Sequence, residues 1–244
     1  MDQAIADKLL FWAERYNNPK YFEEDPIAFP RRFYQMMTTT QPALGFEGGE
    51  WRPSLQDIEI AAVFSAHFAW GRRAMIVRDC SRLFDEMMWH PYEYVMAGDW
   101  RNDNASIHRT IKWSEVAAIC RRLRDFYSTD SSLEILSADQ MRVRIFGQKE
   151  DPKAANKKIW MMRRWFVRDD GKVDMGLWKN SSKMDLVIPL DVHVYRQASE
   201  LGLTKRKSKD IITAKDITDA FREIFPDDPV KGDFALFGYG VNNA

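Results

Sequence analysis

The segment Asp57–Trp70 reads D-I-E-I-A-A-V-F-S-A-H-F-A-W and is apolar almost all round. Such a helix has little to offer water, so it is expected at the centre of a helical lobe. Helical periodicity dominates the remainder and strand alternation is scarce, which predicts an all-α protein. Residues 4–16 form a first helix with Leu9, Phe11, Trp12 and Tyr16 on its buried side, stopped by Asn17-Asn18-Pro19. From Asp25 to Pro53 the prolines, Thr38-Thr39-Thr40, Gly45, Gly48 and Gly49 describe a long loop or several short turns and mark a boundary. Gly71 is the expected end of the central helix. A helix follows at about 72–88, closed by His90-Pro91, and another at 114–127, capped by Ser114. Short helices are expected around 132–135 and 138–145.

A helix at about 154–167 ends at Asp169-Asp170-Gly171. Asp191 caps the next, which runs to Leu201, where Gly202 supplies the break. Residues 213–225 form the last clear helix, with Ala214, Ile217, Ala220, Phe221 and Ile224 as its apolar stripe. There is no internal repeat and no low-complexity tract.

At 244 residues with 45% apolar side chains, the chain can bury a core, either as one unit or as two small lobes. Lys plus Arg and Asp plus Glu are 36 each, so the overall balance favours no polyanionic partner. The distribution is more telling: residues 1–64 carry ten acids and six bases, whereas residues 142–172 carry ten bases and four acids. Cys80 and Cys120 belong to no C-x-x-C pair and lie near no histidine at metal spacing, and are expected to be free, reduced and buried. The start, M-D-Q-A-I-A-D-K-L-L, is amphipathic and acidic where a secretory signal is basic and then apolar. No run approaches the roughly 18 apolar residues of a membrane span, so a cytoplasmic protein with no membrane partner is expected.

Most chemistry-bearing patterns are missing. His67, His90, His108 and His193 have no H-E-x-x-H or comparable spacing, so no catalytic metal is expected. Gly45 to Gly49 lacks the Lys-Ser/Thr of a phosphate-binding loop, and no G-x-S-x-G elbow is present. What remains is a basic helix and one acid. In I-P-L-D-V-H-V-Y-R, Ile188 to Arg196, Asp191 follows a proline at a helix mouth, where a carboxylate can work on a substrate as well as cap amides.

Pro189 to Arg196 resembles the segment carrying the catalytic aspartate in the helix-hairpin-helix (HhH-GPD) superfamily of DNA base-excision glycosylases. Ala61-Ala62-Val63-Phe64-Ser65-Ala66-His67 is similar to that superfamily's early helix, whose final polar residue inserts into the DNA base stack. Asp233-Phe234-Ala235-Leu236-Phe237-Gly238 is similar to the closing helix that packs beneath the aspartate. Over its whole length the chain more closely resembles the uncharacterised bacterial domain-of-unknown-function family 2400. The residues that carry this include Asp25-Pro26-Ile27 with Phe29-Pro30, Ala69-Trp70-Gly71, Lys157, Arg164-Trp165, Val167-Arg168, Val173-Asp174 with Gly176 and Trp178, Ile188-Pro189-Leu190-Asp191, and Asp228-Pro229-Val230.

The superfamily resemblance implies a two-lobed helical protein with a cleft between the lobes. One lobe is expected to run continuously over 56–187, the other to combine 1–55 with 188–244, in a single compact chain. It implies DNA as partner and removal of a damaged base, with an oxidised purine as the candidate. A bifunctional member uses a lysine that attacks the sugar C1′ and forms a Schiff base, giving abasic-site lyase activity. Lys157 and Lys158 lie 34 and 33 residues before Asp191, and Lys157 matches the family-2400 pattern. On this reading Asp191 and Lys157 are catalytic, Lys158, His193 and His67 support them, and Arg163, Arg164, Arg168 and Lys172 bind nucleic acid.

This chain departs from the superfamily at several points. The L-P-G-V-G-type hairpin that offers backbone amides to a DNA phosphate is replaced by Phe146-Gly147-Gln148-Lys149-Glu150-Asp151-Pro152. There is no four-cysteine cluster near the C-terminus, which excludes an iron–sulfur cluster, and no other cofactor is implied. His67 stands where Gln or Asn is usual.

Each residue also has a plain reading. Asp191 serves as an N-cap, Lys157 and the arginines as a solvated helix face, His67 as a core histidine, and Trp160, Trp165 and Trp178 as core rather than base-stacking surfaces. Two other functions fit the same residues: a non-catalytic nucleic-acid-binding protein on this scaffold, or a nucleoside or nucleotide N-glycosidic hydrolase.

Overall fold

A computed structural model describes residues 1–39 and 51–242, so Thr40, Gly45, Gly48 and Gly49 of the expected loop lie outside the described residues. Among the described residues the chain forms α1 (Gln3–Tyr16), α2 (Ala28–Thr38), α3 (Leu55–Phe68), α4 (Arg73–Glu86) and α5 (Pro91–Ala97). A hairpin of β1 (Ser106–His108) and β2 (Ile111–Lys112) precedes α6 (Trp113–Tyr127) and α7 (Ala138–Arg144). Then come α8 (Lys157–Val167), α9 (Val192–Glu200), α10 (Ile211–Arg222) and α11 (Gly232–Asn242). Among the described residues the architecture is all-helical apart from that two-stranded hairpin, and none of their helices is long and apolar enough to cross a membrane.

The chain divides into an inserted unit, Glu24–Gln148, and a terminal unit, Met1–Glu23 with Lys149–Ala244. The continuous stretch is therefore shorter than the expected 56–187 at its C-terminal end and longer at its N-terminal end. Residues 149–187 join the terminal unit, where Arg164 and Arg168 pair with Asp233 and Asp228 and also with Asp170 and Asp174 of the loop after α8.

In the inserted unit α3 is buried on every side, as its composition demands, and its two acids are satisfied internally. Asp57 closes a capping box with Ser54 and takes the Tyr92 N–H at 2.9 Å. Glu59, with no exposed surface, accepts from the Tyr127 hydroxyl (2.8 Å), the Ser132 hydroxyl (2.7 Å) and the Leu133 N–H (2.9 Å). Burial and the adjacent Glu59 charge push the Tyr127 phenol well up.

The helix α2 corrects the expectation of a loop after Asp25. Pro30 lies in the first turn of α2, where a missing N–H costs nothing and the fixed φ suits a helix. Phe29 and Phe33 then pack against Phe84 and Trp89. The short hairpin is held by buried His108, whose Nδ1 lies 2.8 Å from buried Asp79 and whose Nε2 lies 3.0 Å from the carbonyl of half-buried Trp70. Cys80 and Cys120 are buried free thiols, and burial pushes both pKa values up.

In the terminal unit α11 packs on α1 and on α9. Trp12 stacks on Tyr239 at 3.8 Å, and a Cβ on Gly238 would stand 2.4 Å from the Tyr16 side chain, so only glycine lets α1 approach. Phe11, expected in the core, is 60% exposed, because the buried face of α1 is Leu9, Trp12, Ala13 and Tyr16. Asp2 caps α1, and Asp191 caps α9 as expected.

Replacing Glu59 by Ala leaves several buried donors without an acceptor. This should lower unfolding stability by about 3 kcal/mol or more, read from urea denaturation. A loss under about 1 kcal/mol would show that Glu59 is not needed to hold these groups.

Candidate active site

The basic helix α8 decides how the terminal unit is wired. Residues 157, 161, 164 and 168 recur at helical spacing and share one side of α8. Arg164 and Arg168 on that side are buried at 3% and 1% exposure. Arg164 donates to Asp174 (3.3 Å) and to Asp233, and Arg168 donates to Asp174, to Asp170 (3.1 Å) and to Asp228 (2.8 Å). Both guanidinium groups also lie over the Phe234 ring, at 4.5 and 5.0 Å. The expected phosphate-binding face of Arg163, Arg164, Arg168 and Lys172 is thus corrected for its two central members. Buried guanidinium groups engaged by carboxylates are structural, and exposing them would strand those acids.

The outer members of that set stand apart. Arg163 is half-buried, over the rings of Trp160 (5.8 Å) and Trp178 (5.4 Å). Lys172 is exposed, 3.6 Å from Glu14. Trp165 and Trp178 are buried in the core, while Trp160 is half-buried.

Four carboxylates share two guanidinium groups in this lattice, and burial acts on them unequally. Burial works against the charge of Arg168, but Asp174, Asp228 and Asp170 outweigh it and its pKa is raised. Half-buried Asp170 is held low despite desolvation, chiefly by Arg168 and by the Lys172 N–H. Asp174 is raised, because complete burial outweighs Arg164 and Arg168.

Asp233 is the most informative of the four. Burial raises its pKa first, the Arg164 charge lowers it, the Asp191 carboxylate raises it again and Lys157 lowers it, with a result of about 6. The charges of Asp191 and Lys157 therefore both reach one buried carboxylate. Asp233 lies in the first turn of α11, in the segment resembling a closing helix, but periodicity gives no reason to single it out.

Asp191 is half-buried at the N-terminus of α9. Its Oδ1 accepts the N–H groups of His193 and Val194, both at 2.9 Å, while among the described residues Oδ2 accepts no hydrogen bond. Capping accounts for only one of its two oxygens. His193 contributes its backbone N–H, and its ring makes no hydrogen bond to Asp191.

Lys157 and Lys158 are the first two residues of α8, both half-buried, after Asn156 in a left-handed conformation (φ 48°) with no side-chain cap. Cations at the positive end of a helix oppose its dipole by roughly 0.3–1 kcal/mol, so helix stability does not explain them. Lys157 stands two turns before Arg164 on the same side, whereas Lys158 is turned roughly 100° away. His67 belongs to the inserted unit, half-buried at the end of α3, with its ring 5.8 Å from that of Phe146. No group of three His, Cys, Asp or Glu among the described residues could hold a metal ion.

Because its folded pKa exceeds the ordinary 3.8, Asp233 contributes stability that is complete below about pH 3.8 and is lost as the pH rises through 6. Between pH 7 and pH 5 the wild type should gain about 1 kcal/mol relative to Asp233→Asn, measured by urea denaturation at both values. An identical pH dependence in the two proteins would show that Asp233 does not titrate in this range.

The model of one family, described as "Protein of unknown function (DUF2400)", matches residues 52–144 and 136–242, most of the chain. No curated protein and no solved structure matches it.

Proposed function

The chain belongs to the DUF2400 family, and from that premise we propose that it is a DNA base-excision glycosylase with lyase activity, acting through Lys157 and Asp191. The observation that carries this reading is geometric: Lys157 shares a side of α8 with Arg164, Arg164 is bonded to Asp233 at the start of α11, and α11 packs on α9, which Asp191 caps. Two residues 34 positions apart, singled out by a resemblance, stand at the starts of two helices of the same unit.

In the proposed reaction Asp191 takes a proton from the Lys157 ammonium. The freed nitrogen lone pair forms a bond to the deoxyribose C1′ as the C1′–N bond to the base breaks, and the base departs with that electron pair and is protonated. Asp191 passes the proton it took from Lys157 to the departing base, and its restored negative charge stabilises the positive charge that grows on the sugar. Ring opening then gives a Schiff base between Lys157 and C1′, which permits strand cleavage. Asp233, fixed by Arg164, is a positioning residue that presents a negative charge to Lys157. An oxidised purine is the proposed substrate, and it must leave the base stack to reach the lysine.

Borohydride trapping on duplex DNA carrying 8-oxoguanine or an abasic site tests the proposal. The wild type should give a covalent adduct, Lys157→Ala none, and Asp191→Asn an adduct formed about 10²–10⁴-fold more slowly. No adduct with the wild type, or an undiminished one with Lys157→Ala, removes the proposed chemistry. Salt-dependent DNA binding without product, unchanged by Asp191→Asn, would favour a non-catalytic binder on this scaffold.

A further inference from the structure

The sequence between α9 and α10 reads T-K-R-K-S-K over residues 204–209, four cations in six residues with no acid among them. Such a run is ordinarily a solvated, mobile link. Here it is pinned. Arg206 turns inward, donating to Thr213 (3.0 Å), Ser208 (3.3 Å) and Asp210 (2.8 Å). The Arg206 N–H donates to the Thr204 hydroxyl at 3.2 Å and the Tyr195 hydroxyl donates to the Arg206 carbonyl at 2.9 Å. The Thr213 hydroxyl donates to the Ser208 carbonyl at 2.6 Å, and the N–H of Ile211 donates to the Lys153 carbonyl at 3.1 Å.

One cation of the run is therefore committed to holding the loop, and the other three are not. Lys205, Lys207 and Lys209 are exposed, and none has a carboxylate partner among the described residues. Lys153, bonded to the start of α10 through its carbonyl, is a fourth exposed cation of the same kind. Other bases of the unit are paired: exposed Lys172 and half-buried Lys231 with Glu14, and exposed Lys179 with Asp169. Fixing like charges close together raises the free energy of the unbound protein, and a polyanion offsets that cost by exchanging its counterions for them.

The loop is also strapped to the helix that Asp191 caps. Tyr195 lies one turn after Asp191, its N–H donating to the Asp191 carbonyl at 2.9 Å. Its hydroxyl holds Arg206, and Lys209 lies 5.2 Å from the centre of its ring.

We propose that residues 204–209 with Lys153 form a phosphodiester-binding element that grips the DNA backbone beside Asp191, in place of the superfamily hairpin that this sequence lacks. The assignment rests on the base-excision reading for its choice of DNA. Specificity for a damaged base would lie elsewhere, since lysine contacts to phosphate position a strand without reading its sequence.

The test is the salt dependence of binding to a fluorescein-labelled duplex of about 20 base pairs, with and without an abasic site. Removing three phosphate contacts in Lys205→Ala/Lys207→Ala/Lys209→Ala should reduce the slope of log K against log salt by about 3 and weaken binding more than tenfold at low salt. The side chains are exposed, so the melting temperature should be unchanged. Lys179→Ala, which removes a cation already paired with Asp169, should leave the slope near that of the wild type.

An unchanged slope in the triple variant overturns the grip. So does wild-type binding to phosphatidylglycerol vesicles as tight as to DNA and equally dependent on the three lysines, which would make the loop a membrane-surface element. A loop-dependent slope without a borohydride adduct supports the grip while the excision reading falls. An adduct formed equally by wild type and triple variant, with equal slopes, keeps excision and removes the grip.

Discussion

The buried pairing of Arg164 and Arg168 with Asp174, Asp228 and Asp233 is the constraint on which the terminal unit depends. Two guanidinium groups on one side of α8 gather carboxylates from the following loop, from the segment before α11 and from α11 itself. Each arginine is tolerable in the core only because several acids compensate it, and each acid only because an arginine is near. The arrangement fixes the direction and rotation of α8, so that Lys157, two turns earlier on the same side, is placed by charges that are themselves structural.

This wiring separates two kinds of charge. The fully buried groups hold the helices. Lys157 and Asp191 are half-buried and stand at the mouths of α8 and α9: capping uses one oxygen of Asp191, and the helix dipole does not favour lysines at the first two positions of α8. Asp233 links the two sets, bonded to Arg164 and sensitive to both Lys157 and Asp191. An ionisable group raised toward neutrality by burial and by a like charge is a frequent companion of reactive sites.

The sequence disclosed elements more readily than partners. The all-round apolar pattern of α3 and the cap-and-break signals around α9 are local, so both were legible. The helix α2 was hidden because Pro30 suggests a loop unless its place in the first turn is known. The arginines of α8 were misread because helical spacing identifies a shared side but not what covers it. Asp170 and Asp174 lie 2 to 10 residues away in the following loop, but Asp228 and Asp233 lie 60 and 69 residues away, beyond any periodicity. Asp233 became visible only through its burial. The loop 204–209 was legible as a charge run, but its rigidity depends on Tyr195 and Thr213, which only the fold brings to it.

The central claim is that Lys157, Asp191 and Asp233 share one electrostatic site. A carbon-13 NMR titration of the Asp233 side-chain carboxyl tests it most directly, in the wild type, Asp191→Asn and Lys157→Ala. The account predicts a wild-type midpoint near 6, a lower one without the Asp191 charge and a higher one without the Lys157 charge. Midpoints that coincide in all three proteins would contradict it.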